Sequence, residues 1–231
     1  MKTQNSKITS FIIALMFISG MACAQDQETR DLRSFDGLRV SESIRLEAKK
    51  GSENKIEIEV DYIDLDDVVT EVSGGTLHVH LKRGRYRRKY IRATLTYTED
   101  LRDIAVNTAA EVVIKDKVTG KSLDIKTSTS GEIELEVDVD RLDLSASTSG
   151  RIDISGQTEE IKASASTGAM IYAYDVEAME GAAKANTGAD VRIRVEDFLR
   201  ASAGTGGSIR YKGKPRTDTR SNTGGSVRSS R

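Results

Sequence analysis

The sequence contains one cysteine, two histidines and no tryptophan, and charged residues make up 31% of its 231 positions. The single cysteine, Cys23, lies in a segment expected to be removed on export. Neither disulfides nor thiol catalysis is then available to the mature chain. His78 and His80 are too few for a zinc site by themselves, which takes three or four ligands. They suggest no Ser-His-Asp arrangement either, and they read as exposed strand histidines. There is one long apolar run, from Ile8 to Ile18, and no second hydrophobic span. A transmembrane helix needs about 20 apolar residues, so this run is too short for an ordinary one.

What is present at that end is the pattern of a signal peptide over residues 1–24. Lys2 and Lys7 precede the apolar run, and Gly20, Ala22, Cys23 and Ala24 follow it as small residues before Gln25. The alternative is a lipoprotein signal with Cys23 lipidated, although Gly20 stands where such signals carry a larger aliphatic residue. Loss of Lys2 and Lys7 takes the formal charge from −1 to −3. A slightly acidic exported protein is a poor partner for nucleic acid. The expected location is periplasmic, outer-membrane-associated or extracellular.

Residues 25–231 are expected to form one all-β domain, with an N-terminal β-rich part at 25–100 and regular repeats at 101–231. In the first part Ile56, Ile58 and Val60 alternate strictly, Gly74-Gly75 marks a turn, and Leu77, Val79 and Leu81 resume the alternation. Residues 63–72 read as a helical turn or a loop. In the second part a phrase T-[SGA]-[GA]-x-[IV] opens at Thr108, Thr129, Thr148, Thr167, Thr187, Thr205 and Thr223, with spacings of 21, 19, 19, 20, 18 and 18 residues.

A fixed period of this size is the signature of a solenoid. Taking each threonine as zero, positions −6, −4 and −2 run from large to small: Leu142, Leu144, Ala146 in one copy, Ile161, Ala163, Ala165 in the next. Positions +4 and +6 return to large apolar residues, as in Ile133 and Leu135. Alternation carried through the corner places the threonine on the inward side, its hydroxyl on the corner backbone and its methyl in the core. A phosphate-loop reading of T-[SG]-G fails because such loops occur once and lead into a helix.

The opening Phe35-Asp36-Gly37-Leu38-Arg39-Val40, the strand entry Gly74-Gly75-Thr76-Leu77, the Ser/Asn-Thr-Gly corners and the closing Ser208-Ile209-Arg210-Tyr211-Lys212-Gly213-Lys214-Pro215 carry a resemblance over residues 35–231. In order and spacing the chain resembles the head-GIN-domain family, also called putative auto-transporter adhesins, of secreted Gram-negative proteins. The resemblance implies a right-handed parallel β-helix-like solenoid with coils of about 18–21 residues, export, and no established enzymatic activity. It offers no catalytic residues.

Two basic features are candidates for binding. Lys82-Arg83-Gly84-Arg85-Tyr86-Arg87-Arg88-Lys89 puts six positive side chains in eight residues around an aromatic ring. Such a run holds phosphate or sulfate by charge and stacking, and it also suits a solvated loop that discourages edge pairing. The second feature appears when coils are stacked. Positions +5 and +7 point outward and read Glu134 and Glu136, Asp153 and Ser155, Tyr172 and Tyr174, Arg192 and Arg194, Arg210 and Lys212, then Arg228. A tyrosine pair bordering a basic column suits an anionic glycan.

The Asp61, Asp64, Asp66, Asp67 cluster lacks the Gly and distal Glu of a calcium loop and reads as a solvated turn. The reading that results is a non-enzymatic exported solenoid without cofactor or metal. It presents polar faces to an extracellular or envelope polysaccharide or another surface protein, or serves envelope structure. The alternative is a polysaccharide-cleaving enzyme, for which Glu132, Glu134, Glu136 and Asp153 supply carboxylates.

Overall fold

The computed structural model describes residues 26–230; the expected signal peptide and Cys23 lie outside them. Where apolar and polar residues alternate, the chain is strand, because extended backbone points successive side chains to opposite faces. The regular part contains β8 (Asp103–Asn107), β9 (Glu111–Ile114), β10 (Val118–Ser128), β11 (Glu132–Ala146), β12 (Arg151–Ala165), β13 (Met170–Ala185), β14 (Asp190–Ala203), β15 (Ser208–Lys212), β16 (Arg216–Ser221) and β17 (Ser226–Ser229), with the seven earlier strands named below. All pairings among these ten are parallel, and each coil lies on the next. This is a β-solenoid.

The register repeats the threonine spacing. Ile125 pairs with Ile104 and Leu144, Leu144 with Ala163, and Ala163 with Ala183. The inward positions are buried through the stack as far as Ile209, those of the last coil, Thr217 and Thr219, being exposed, and the taper from leucine to alanine narrows the core toward each corner. Thr127 breaks the pattern. It occupies an alanine position, is 2% exposed, and its hydroxyl has no hydrogen-bond partner among the described residues. A buried hydroxyl without a partner costs about 1–3 kcal/mol. Thr127→Val is therefore expected to raise stability by about 1 kcal/mol, read as a higher urea midpoint at unchanged slope.

The corners correct one expectation. All seven threonines are exposed, not inward, and each adopts a left-handed φ between 46° and 53°. Alternation holds only while the backbone is extended, and here two successive residues turn. At one corner Thr129 and Ser130 have φ of 50° and 60°, and the Gly131 N–H donates to the Ser128 carbonyl at 3.0 Å. That is a type I′ turn, whose second central residue is also left-handed. The preceding N–H is used between coils: Ser130 donates to the Thr148 carbonyl and Ser149 to the Thr167 carbonyl, both at 3.0 Å. Hydrogen bonding thus continues through the corner, and backbone rather than threonine hydroxyls closes the turn.

The N-terminal part joins the same stack, out of sequence order. It comprises β1 (Asp26–Asp31), β2 (Gly37–Val40), β3 (Arg45–Lys50), β4 (Lys55–Asp61), β5 (Val68–Ser73), β6 (Thr76–Leu81) and β7 (Tyr90–Tyr97), with a 3-10 turn at Leu65–Asp67. The β2–β3 coil lies between β6–β7 on one side and β8–β9 on the other, all in parallel pairing. β4 runs antiparallel to β7 and to β1, and β5 antiparallel to β6. These antiparallel strands flank the first coil. Arg30 ties them together, donating to the carbonyls of Val68 at 2.6 Å and Leu65 at 3.0 Å and to Glu28 at 2.6 Å.

Tyr97, at the end of β7, is 3% exposed. Burial, with Asp116 and Asp100 nearby, pushes its phenol up to about 12. A phenol held neutral stabilises fully below its unfolded value near 10, and that contribution is lost as pH rises from 10 toward 12. The loss amounts to about 2–3 kcal/mol. Tyr97→Phe should flatten the alkaline limb of a stability–pH curve in that window and leave the curve near neutrality in shape unchanged.

Candidate binding surfaces

Inward residues at +4 and +6 turn the neighbouring +3, +5 and +7 residues out onto one face. The ladder then brings together what the spacing placed in line. Glu134 pairs with Asp153, Asp153 with Tyr172, Tyr172 with Arg192, Arg192 with Arg210, and Arg210 with Arg228. Arg194 pairs with Lys212. Tyr174 departs from this order, because the register shifts so that Ser155 pairs with Asp175. The extra residue is legible in the spacing of 20 between Thr167 and Thr187, where the two preceding coils have 19.

The side chains form a layered cluster. The Tyr172 ring has the Arg151 guanidinium at 4.8 Å and the Arg192 guanidinium at 4.6 Å, one from each neighbouring coil. The Lys212 ammonium lies 4.7 Å from the Tyr174 ring centre, and the Tyr174 hydroxyl is buried without a partner among the described residues. Beside the tyrosines runs an open groove of about 850 Å³, lined by Lys115, Glu134, Glu136, Asp153, Tyr172 and Tyr174 among others.

Most of these charges already have partners. Arg192 and Arg210 both reach Asp190, at 3.1 and 3.2 Å. Arg194 bridges Glu177 at 2.8 Å and Glu196 at 2.9 Å. In the groove Glu136 meets Lys117 at 2.9 Å and Asp153 meets Arg151 at 2.5 Å. Hydrogen bonds to Asp153 and to Glu196 raise the guanidinium pKa of Arg151 and of Arg194 further. The face is charged but largely neutralised within the chain.

Loop 82–89 is the opposite case. It links β6 to β7 at the place where the β2–β3 coil turns through Glu42 and the next coil turns through Thr108. Ser41-Glu42-Ser43-Ile44 is itself a corner, with left-handed Glu42 and Ser43 and the Ser43 N–H donating to the Thr108 carbonyl at 2.9 Å. Sequence reasoning missed it because glutamate replaces threonine. The signal was there in two small residues flanking the turn and an apolar residue two places on. Tyr86 anchors the loop by donating to the Lys82 carbonyl at 3.0 Å and packing against the core.

Lys82, Arg83, Arg85, Arg87 and Arg88 are exposed and Lys89 is half-buried. Among the described residues none of the six forms an ion pair. Lys82, Arg83, Arg85, Arg87 and Lys89 line an open cleft of about 730 Å³, to which Glu42, Tyr86 and Thr108 also contribute. The Glu42 carboxylate accepts the Leu81 N–H at 2.5 Å.

His78 and His80 sit half-buried on one face of β6. Among the described residues no three of His, Cys, Asp and Glu come together as a metal site would require. No helix among them is long and apolar enough to cross a membrane.

Solved structures similar to this chain share its fold. One is a crystal structure of a putative adhesin from Bacteroides fragilis, at 16% identity and TM-score 0.79, covering 90% of this chain and 97% of that one. Another is a putative adhesin from Parabacteroides merdae, at 20% identity and TM-score 0.75, covering 91% and 98%. A third, from Parabacteroides distasonis, is described as a putative lipid binding protein, at 19% identity and TM-score 0.73, covering 91% and 98%. No curated protein sequence matches the chain. The family model described as "Putative auto-transporter adhesin, head GIN domain" matches residues 34–215, and the chain belongs to that family.

Proposed function

We propose that the protein is an exported, non-enzymatic binding module that holds an anionic polymer, an acidic or sulfated glycan of the cell surface or envelope, on loop 82–89. The observation that carries this reading is the contrast in pairing. Among the described residues the six cations of loop 82–89 form no ion pair, and five of them line the cleft, while Arg192, Arg194 and Arg210 of the long face are engaged by Asp190, Glu177 and Glu196. Unpaired exposed cations keep their attraction for an outside anion. Paired ones must first give up a partner.

A polysaccharide-cleaving reading finds no support in the groove. Of its carboxylates, Glu136 is exposed and tied to Lys117, and Asp153 is half-buried and tied to Arg151. Hydrolysis needs one carboxyl group held as an acid and a second converging on the same bond.

Binding to dextran sulfate, with uncharged dextran as the control, tests the proposal. Electrostatic binding to a polyanion weakens steeply as counterions compete. The expected result is binding to the sulfated polymer alone, at least tenfold weaker in 200 mM than in 50 mM salt. Equal binding to both polymers, or affinity indifferent to salt, overturns it.

A further inference from the structure

The long face has a second property, independent of loop 82–89. Counted over the seven threonine corners, its middle coil is the fourth, and the outward residues of that coil are the uncharged Met170, Tyr172 and Tyr174. On one side lie Glu132, Glu134 and Glu136, then Arg151 and Asp153. On the other lie Asp190, Arg192 and Arg194, then Arg210 and Lys212. The face is acidic at one end, basic at the other and aromatic at its centre.

We propose that this face is an interaction surface for a second copy of the chain. The two copies pack face to face about a two-fold axis that runs along the β13 strand direction through Tyr172. Rotation about such an axis reverses the order of coils and keeps each outward column opposite itself. Coil two meets coil six, and coil three meets coil five. Glu134 then faces Arg210 of the second copy, Glu136 faces Lys212, Asp153 faces Arg192, and Arg151 faces Asp190. All four matches are between opposite charges, and none is between like charges. A self-complementary patch of this kind is what a two-fold interface requires.

Shape and size agree with a reversible contact. The groove beside the tyrosines lies on the acidic half and is lined by Glu134, Glu136 and Asp153. It is open to the long side chains of Arg210 and Lys212 from the facing copy. Seven coils at about 4.8 Å and five residues at about 3.3 Å give a footprint of about 29 by 16 Å. The total area buried is then about 1,000 Å², near the lower bound for a specific interface. Glu136, Arg151, Asp153, Asp190, Arg192 and Arg210 already have partners within the chain, so these charges contribute register and orientation more than affinity. Tyr172 at the axis supplies the buried centre.

Sedimentation velocity over a range of concentrations tests this, with two charge-reversed variants, E134R/E136K and R210E/K212E. Wild type is expected to show a monomer–dimer equilibrium that shifts to monomer in high salt. Each variant alone sets like charges opposite each other twice and is expected to stay monomeric. An equimolar mixture of the two restores every match and is expected to dimerise like wild type. Circular dichroism of each variant separates loss of the fold from loss of the contact, and a dimer in the mixture shows that both fold. A wild type that is monomeric at every concentration in low salt overturns the proposal. So does a variant that dimerises as well as wild type, or a mixture that stays monomeric. None of the four substituted positions lies in loop 82–89, so polymer binding and dimerisation can fail separately.

Discussion

Gly156→Ala is expected to lower stability by about 3–5 kcal/mol and the melting temperature by roughly 10 °C. Gly156 pairs with Val137 of the preceding coil at φ +120°, where an L side chain is strained. A Cβ there would sit 1.9 Å from the Val137 carbonyl oxygen and 2.9 Å from its carbonyl carbon and nitrogen. Backbone cannot swing away as a side-chain tip does, so the two coils must part. In a solenoid each coil buries its neighbour's core, and a local gap reaches both sides.

Gly74→Ala is the control. Gly74 has φ +58° but nothing within 4 Å of its Cβ position, so only backbone strain of about 1 kcal/mol is expected. Equal losses for the two variants in thermal unfolding would show that strain, and not coil separation, sets the effect at Gly156.

Replacing Arg83, Arg85, Arg87 and Arg88 together with serine is expected to weaken binding to a sulfated glycan by about a thousandfold. Each arginine near an anionic surface contributes about 1 kcal/mol, and about 4 kcal/mol corresponds to roughly a factor of a thousand. Stability should move by no more than about 0.5 kcal/mol per position, since the four side chains are exposed and make no ion pair among the described residues. Lysine at the same four positions should retain most of the binding, because charge rather than planar geometry does the holding. Isothermal titration with dextran sulfate reads all three proteins on one scale.

Much of this architecture was legible in the sequence, and the reason is physical. A parallel ladder copies its register from coil to coil, so the threonine interval is the same quantity as the offset between paired residues. That is why Tyr172, Arg192 and Arg210 could be placed side by side from spacing alone. The corner threonines were misplaced because alternation was counted through a turn in which the backbone is left-handed. The β2–β3 coil, lying between strands that follow it in sequence, was hidden for another reason. Its contacts span long stretches of chain, and no local pattern records which coil it joins.

The two basic features also looked alike in sequence, since residue type shows charge but not its partners. Asp190 lies two positions before Arg192 yet reaches Arg210 as well, and Glu177 reaches Arg194 from the coil before. Only the stacked geometry shows which cations are spent. The charge segregation along the face was visible.

The most direct test compares three proteins in one titration with dextran sulfate at 50 mM salt: wild type, R83S/R85S/R87S/R88S and R192S/R194S/R210S. The loop variant is predicted to lose about a thousandfold in affinity. The face variant is predicted to stay within about tenfold of wild type, because its arginines are neutralised by Asp190, Glu177 and Glu196. A face variant that no longer binds, beside a loop variant that binds like wild type, would contradict the account.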